Sequence, residues 1–172
     1  MKSYNDAVKI LKKSNIKISD QFIKSINSVN RICSENIYSN QHYPSADNSS
    51  VDGFAINARD TNGISQKKFK RLKIVGSISA GSKPFKKFLK KDQAVEIMTG
   101  GILPRGTNSI IPIEKCSLIK DKINNYILIK QKFKKFENVR FKGSDFKKKD
   151  LLIKKNTLIN SNHIMAFKAL GV

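Results

Sequence analysis

Two cysteines, two histidines and no tryptophan leave this 172-residue chain with little of what metal centres and disulfide scaffolds are made from. Cys33 and Cys116 lie far apart and form no Cys-X-X-Cys pair, so neither a zinc site nor a disulfide framework is indicated. Both read as free thiols of a reducing compartment. His42 and His163 stand alone, without the clustering that a metal site or a catalytic triad requires. No apolar run approaches the roughly 20 residues of a membrane helix. The N-terminus, Met1-Lys2-Ser3-Tyr4-Asn5-Asp6, lacks the apolar stretch of a signal peptide. The expectation is a cytoplasmic protein with no membrane partner.

Acidic residues are also few: 13 Asp and Glu against 34 Lys and Arg give a formal net charge of +21. Such a balance raises nucleic acid as a partner. The chain is equally loaded with Ile and Asn, however, as an A- and T-rich genome would make it, and we weigh composition above nucleic-acid binding. Three basic tracts carry interleaved aromatics: Lys67-Lys68-Phe69-Lys70-Arg71, Lys83-Pro84-Phe85-Lys86-Lys87-Phe88 and Lys132-Phe133-Lys134-Lys135-Phe136. Aromatics between lysines can stack bases. The plainer reading turns each Phe into the core and the lysines to water, and none of the tracts matches a specific nucleic-acid motif.

What is present divides into segments. Tyr4, Ala7, Val8 and Leu11 recur at helical spacing over residues 4–13. The same spacing in Phe22, Ile23, Ile26, Val29, Ile32 and Ile37 predicts a second helix over 20–38, capped by Asp20. After Pro44 the pattern becomes β-like, with strands expected at Phe54–Ile56, Leu72–Val75, Ala94–Met98, Ser109–Ile113 and Tyr126–Ile129. Pro112 lacks a ladder donor and belongs at a sheet edge or a bulge. Pro104-Arg105-Gly106 reads as a turn. Leu151–Ile153 and Thr157–Ile159 read as two strands across a turn in which Asn156 tolerates a left-handed backbone. A last helix follows, with Ser161 as N-cap, Ile164, Phe167 and Leu170 on one face, and Gly171 at its end.

Two stretches concentrate the chemistry. Asp47-Asn48-Ser49-Ser50-Val51-Asp52-Gly53-Phe54-Ala55 crowds acids, an amide and hydroxyls around an Asp-Gly pair, more than a purely structural loop needs. Downstream come Glu96-Ile97-Met98-Thr99-Gly100-Gly101, then Pro104, Gly106 and Glu114. Together they resemble the DNSAMDGYA and IMTGA motifs of the molybdopterin molybdenumtransferases, the MoeA and gephyrin E-domain family. Asn30-Arg31 is similar to that family's Gly-Arg pair, Ala80-Gly81 to its Ala-Gly element, and Arg140, Gly143 and Asp145 to its R-x-x-G-x-D. Lys149-Asp150 and Ala169-Leu170-Gly171-Val172 fit the segment that follows. Gly101 stands where Ala is usual, Ser144 where Glu is common, and Phe54 replaces Tyr.

The resemblance implies an α+β protein: a helical and β-hairpin unit formed by both chain ends, residues 1–43 and 140–172, around an inserted β-rich domain, residues 44–139. It covers only the N-terminal part of a family member, since the large α/β domain that carries much of the pterin contact is absent. The implied activity is insertion of molybdate into adenylated molybdopterin with release of AMP. Asp52, Thr99 and Asp145 are carried over as catalytic residues: the acids as polar or metal-proximal carboxylates, Thr99 as an oxyanion donor. Ser50, Gly100 and Gly101 are carried over to substrate binding, the glycines offering backbone N–H groups to an anion. Each has a plainer reading as a turn or cap residue. Mg²⁺ is the implied cofactor, its ligands unassigned, and the implied protein partner is a second copy of the chain. The chain alone is not expected to complete the site, and the readings of a shortened form, a degenerate remnant and a split-gene product that meets a separately encoded C-terminal half stay open. Two rival readings are a basic nucleic-acid-binding module and a non-catalytic dimerisation scaffold. The loops bearing Asp52 and Thr99 are expected to meet at one edge of the β-rich domain, with both side chains at least partly exposed.

Overall fold

A computed structural model describes residues 3–14, 18–65 and 68–172. Its elements are α1 (Tyr4–Lys13), β1 (Ile37–Tyr38), β2 (Asn48–Ser49), β3 (Gly53–Ile56), β4 (Lys70–Ile78), β5 (Gln93–Ile97), β6 (Ser109–Pro112), β7 (Cys116–Lys120), β8 (Asn125–Ile129), β9 (Val139–Arg140), β10 (Leu151–Ile153) and α2 (Ser161–Leu170). Three short 3-10 turns, Ser25–Asn27, Ala58–Thr61 and Ile113–Lys115, complete the set. The fold is mixed α and β, with no described helix long and apolar enough to cross a membrane.

Six strands form one sheet in the order β6-β3-β5-β4-β8-β7, antiparallel except where β4 runs parallel to β5. Successive side chains of a strand face opposite sides, and here both sides are covered. Phe54 and Ile56 pack with Leu72, Ile111, Ile127 and Phe133 on one face. Ala55 packs with Val95, Ile97 and Ile110 on the other. A strand buried on both faces explains the unbroken apolar run of Gly53-Phe54-Ala55-Ile56. Pro112 closes β6 at the sheet edge, where no ladder bond is lost. β7 was not anticipated: Cys-Ser-Leu-Ile-Lys alternates too weakly to announce itself, and its pairing with β8 makes it a strand.

The two ends of the chain run antiparallel along each other. Ile32 bridges Leu158, β1 pairs β10, Tyr43 bridges Phe146, and β2 pairs β9. This ribbon corrects two expectations. Residues 20–38 are not a helix: they hold a single 3-10 turn and then β1, because Ile32 and Ile37 are used in pairing with the distant C-terminal segment. Leu151–Ile153 and Leu158 do not form a hairpin with one another, since each pairs with the N-terminal strand of the ribbon. Asn156 does take the left-handed conformation, at φ 65°.

α2 is capped by Asn160 rather than Ser161, with Asn160 and His163 bonding each other's backbone N–H, and it ends at Gly171 with φ 70°. Its face of Ile164, Phe167 and Leu170 is buried, the first two against Cys33, Ile153 and Ile159. α1 is capped by Ser3 and Asp6 and buries no residue.

Candidate functional site

Antiparallel pairing of β3 with β5 sets Gly53 opposite Ile97. The residues just outside that pair, Asp52 before β3 and Thr99 after β5, are thereby brought to one corner of the sheet. Asp52 Oδ1 accepts from both the Thr99 backbone N–H and the Thr99 hydroxyl, each at 2.7 Å. Both side chains are exposed. The hydroxyl bond first, and the backbone bond second, hold the Asp52 carboxyl below its ordinary range, so it is ionised at neutral pH. Only glycine fits between: a Cβ on Gly53 would lie 2.0 Å from the Ile111 carbonyl oxygen.

The two motif loops are laced together next to this corner. Ser49 N–H donates to Gly101 O at 2.9 Å, and Gly100 N–H donates to Ser49 O at 2.8 Å. Gly101 N–H donates to Met98 O at 2.8 Å. Both glycine amides are therefore engaged inside the fold, and the expected donors to an anion are not free. Their contribution is shape: Gly100 sits at φ 80°, and a Cβ on Gly101 would lie 2.8 Å from Ile97 Cγ1. Ser50 is likewise tied, its N–H and Oγ both donating to Asn138 O at 3.1 and 2.8 Å. The single hydroxyl proton of Thr99 points at Asp52, so in this geometry Thr99 orients and acidifies Asp52 instead of offering itself to an oxyanion.

Asp145 lies apart from that pair and bonds neither residue. Its carboxylate forms an ion pair with Arg140 and accepts from Ser144 Oγ at 3.1 Å. Arg140 is held on β9 opposite Asn48 of β2. Arg140, Asn48 and Gly100 line a common cavity of about 440 Å³ with His42 and Ser82, so Asp145 borders the motif loops through its arginine. The five-residue offset of Arg140 and Asp145 was visible in the sequence, but their pairing was not. Asn48 is buried, with its Oδ1 unpartnered among the described residues. Asp47 shapes its loop, accepting from Lys142 N–H at 2.8 Å.

No group of three or more His, Cys, Asp or Glu that could hold a metal is present among the described residues. Cys33 and Cys116 are free thiols, and burial, then Glu114, pushes Cys116 up to about 11. The basic tracts are mixed. Phe133 is buried and Phe85 packs on the core, while Phe69, Phe88 and Phe136 are exposed. Lys67 lies outside the described residues.

Residues 2–171 match the family described as the MoeA N-terminal region, domains I and II. The chain is 33% identical over 144 residues to the molybdopterin molybdenumtransferase of Staphylococcus aureus strain N315, covering 84% of this chain and 33% of that protein. For the Bacillus subtilis strain 168 protein of the same name the figures are 32% over 132 residues, 77% and 30%. The structure of a molybdopterin biosynthesis MoeA protein from Pyrococcus horikoshii superimposes with a TM-score of 0.82 at 31% identity, over 98% of this chain and 42% of that one. The chain thus spans well under half the length of the relatives it matches. It belongs to the MoeA N-terminal region family.

Proposed function

We propose that this chain contributes the Asp52–Thr99 corner to a molybdenum-inserting active site, in which molybdate is transferred to the dithiolene of adenylated molybdopterin and AMP is released. The observation that carries this reading is the meeting of the two family motifs at one exposed, ionised carboxylate, Asp52, with Thr99 fixing its orientation. The rest of the groove would come from the domains that the matched relatives have and this chain does not cover. The chain would act in the cytoplasm, as a homodimer, with residues 1–43 and 140–172 as the outer unit around the inserted domain 44–139. A basic nucleic-acid module is not favoured, since the family match covers nearly the whole chain.

Mg²⁺ fits this corner only as an ion shared with substrate. Asp52 Oδ2 makes no hydrogen bond with a described residue, whereas Asp145 is engaged by Arg140. A Mg²⁺ held by one carboxylate and phosphate oxygens is ordinary for that ion, and it would neutralise charge between Asp52 and a substrate phosphate. Asp52 itself holds a fixed negative charge, Thr99 orients it, and Arg140 places a cation at the neighbouring cavity.

Complementation of a strain deficient in molybdenum insertion, with the remaining domains supplied in trans, tests the reading. Restored growth on a molybdenum-dependent pathway is expected, and Asp52→Ala should lower it by about 100-fold or more with the protein still folded. Failure to complement with all domains present would remove the reading. So would full activity in Asp52→Ala.

A further inference from the structure

At the far end of β3 from Asp52 lies a second concavity of a different character. After Ile56 the chain passes through Asn57 into the turn Ala58–Thr61, about 13 Å along the strand at ~3.3 Å per residue. There a cavity of about 560 Å³ opens between that turn and the segment 132–135, with Arg59, Lys132, Lys134, Lys135 and Asn62 in its lining. No acidic residue lines it, and it shares no lining residue with the loops of Asp52 and Thr99.

Both walls are fixed. Phe133 is buried in the sheet core, and its N–H donates to Thr61 Oγ1 at 3.0 Å. Burial of Phe133 turns its neighbours Lys132 and Lys134 outward. On the other wall, Arg59 N–H donates to Asn57 Oδ1 at 3.1 Å and Ala58 N–H to Asn108 Oδ1 at 2.8 Å. Two carboxylates lie nearby: Glu137 Oε2 accepts the Lys134 backbone N–H at the cavity wall, and buried Asp60 accepts that of Asp92. Among the described residues none of the four cations has an ion-pair partner. A basic composition supplies many lysines. It does not supply two separate anchored segments whose Arg59, Lys132 and Lys134 line one cavity, with Lys135 beside them holding its ammonium 4.5 Å over the Phe136 ring.

Like charges held together raise the local potential and concentrate anions. One phosphomonoester carries about two negative charges, so the three cations Arg59, Lys132 and Lys134 exceed the charge of a single phosphate and suit a chain of linked ones. We propose that this cavity binds a small anion bearing several linked phosphates, either the tail of a nucleoside triphosphate or free inorganic polyphosphate, independently of the reaction assigned to the Asp52 corner.

The test is titration calorimetry of the full chain near physiological salt with tripolyphosphate, ATP and inorganic phosphate. The variants are Lys132→Gln with Lys134→Gln, Arg59→Gln, and, as a charge-matched control, Lys9→Gln with Lys12→Gln on α1. Tripolyphosphate should bind saturably and more tightly than phosphate. The Lys132/Lys134 variant should weaken it by more than about tenfold and Arg59→Gln by several-fold, as loss of charge-assisted hydrogen bonds predicts, while the α1 control changes it less than about twofold. Equal affinity for ATP identifies the phosphate chain as the ligand; tighter ATP binding identifies a nucleotide. Absence of saturable binding overturns the proposal. So does an equal loss in the α1 control, or a preference for a single-stranded oligonucleotide over tripolyphosphate.

Discussion

The six-stranded sheet and the ribbon made by the chain ends are built from similar residues, yet they bury them very differently. The sheet encloses Phe54, Leu72, Ile110, Ile111, Ile127 and Ile129 completely, with a cluster on each face. The ribbon and α2 assemble one small cluster around Cys33, Ile153, Ile159, Ile164 and Phe167. Around it Phe22 is 99% exposed, Met165 72% and Ile32 59%. Hydrogen bonding alone can define a ribbon, but burying apolar area is what stabilises it. The sheet completes its own core; the outer region leaves Phe22, Ile32 and Met165 largely in solvent.

Removing a large side chain from each region should show the difference most sharply. Phe54→Ala opens a cavity under both β3 and β6 and is expected to cost about 3–5 kcal/mol in denaturant unfolding. Met165→Ala should change the stability of the isolated chain by less than about 0.5 kcal/mol. A large loss from Met165→Ala in a monomer, or a small one from Phe54→Ala, would break the comparison. The proposed homodimer sharpens it further. Met165→Asp should weaken self-association in sedimentation equilibrium by about tenfold or more, as a charge in an apolar contact does, with circular dichroism unchanged. An unaltered dimer would place the contact elsewhere.

What the sequence disclosed and what it hid cut across that division. β3, β5, β6 and β8 were legible because turn residues bracket short apolar runs, and α2 because its apolar face repeats and Gly171 ends it. Residues 20–38 misled because Phe22, Ile26, Val29 and Ile32 mimic helical spacing. Their actual structure is set by segments such as Leu158 and Ile153, which no local window contains. At the site, the motifs singled out Asp52 and Thr99. That the Thr99 hydroxyl is engaged by Asp52 depends on a contact spanning 47 residues and on the β3–β5 register. The engagement of the Gly100 amide by the distant Ser49 carbonyl was hidden for the same reason, whereas the Gly101 amide closes a local turn on Met98.

Two aspartates within the sheet region should titrate in opposite senses. Asp52 is held below the ordinary carboxylate range by Thr99, so its contribution to stability is present above that range and lost as pH falls through its depressed folded value. Thr99→Val removes the hydroxyl bond and keeps the backbone one. The Asp52 carboxyl resonance should then titrate at higher pH, without reaching the ordinary value. Asp60 is raised, first by burial and also by the charge of Asp92, against the lowering effect of the Asp92 N–H and two lysines. Its folded form holds a proton more tightly than the unfolded chain. Stability should therefore decline as pH rises from the ordinary carboxylate range to the raised value, and Asp60→Asn should remove that decline. A common direction for the two acids in carbon-detected titration would contradict the assigned causes.

A small effect of the opposite sign, a gain in stability, is expected in the ribbon, at Lys149. This residue sits at φ 77°, a left-handed conformation that costs a side chain other than Gly, Asn or Asp about 1 kcal/mol or more. Its N–H donates to Ser39 O at 2.7 Å, so the backbone is held in place by the pairing of the two chain ends. Lys149→Gly removes the Cβ penalty but adds freedom to the unfolded chain, which offsets part of the gain. A net stabilisation of about 0.5 kcal/mol is expected, read as a raised midpoint in urea with an unchanged slope. Asn30, at φ 64°, serves as the internal control, because asparagine already tolerates this conformation and Asn30→Gly should gain less. If Lys149→Gly lowers the midpoint, the lysine side chain itself supports the turn, and the outer region draws more on its polar surface than its exposed apolar face suggests.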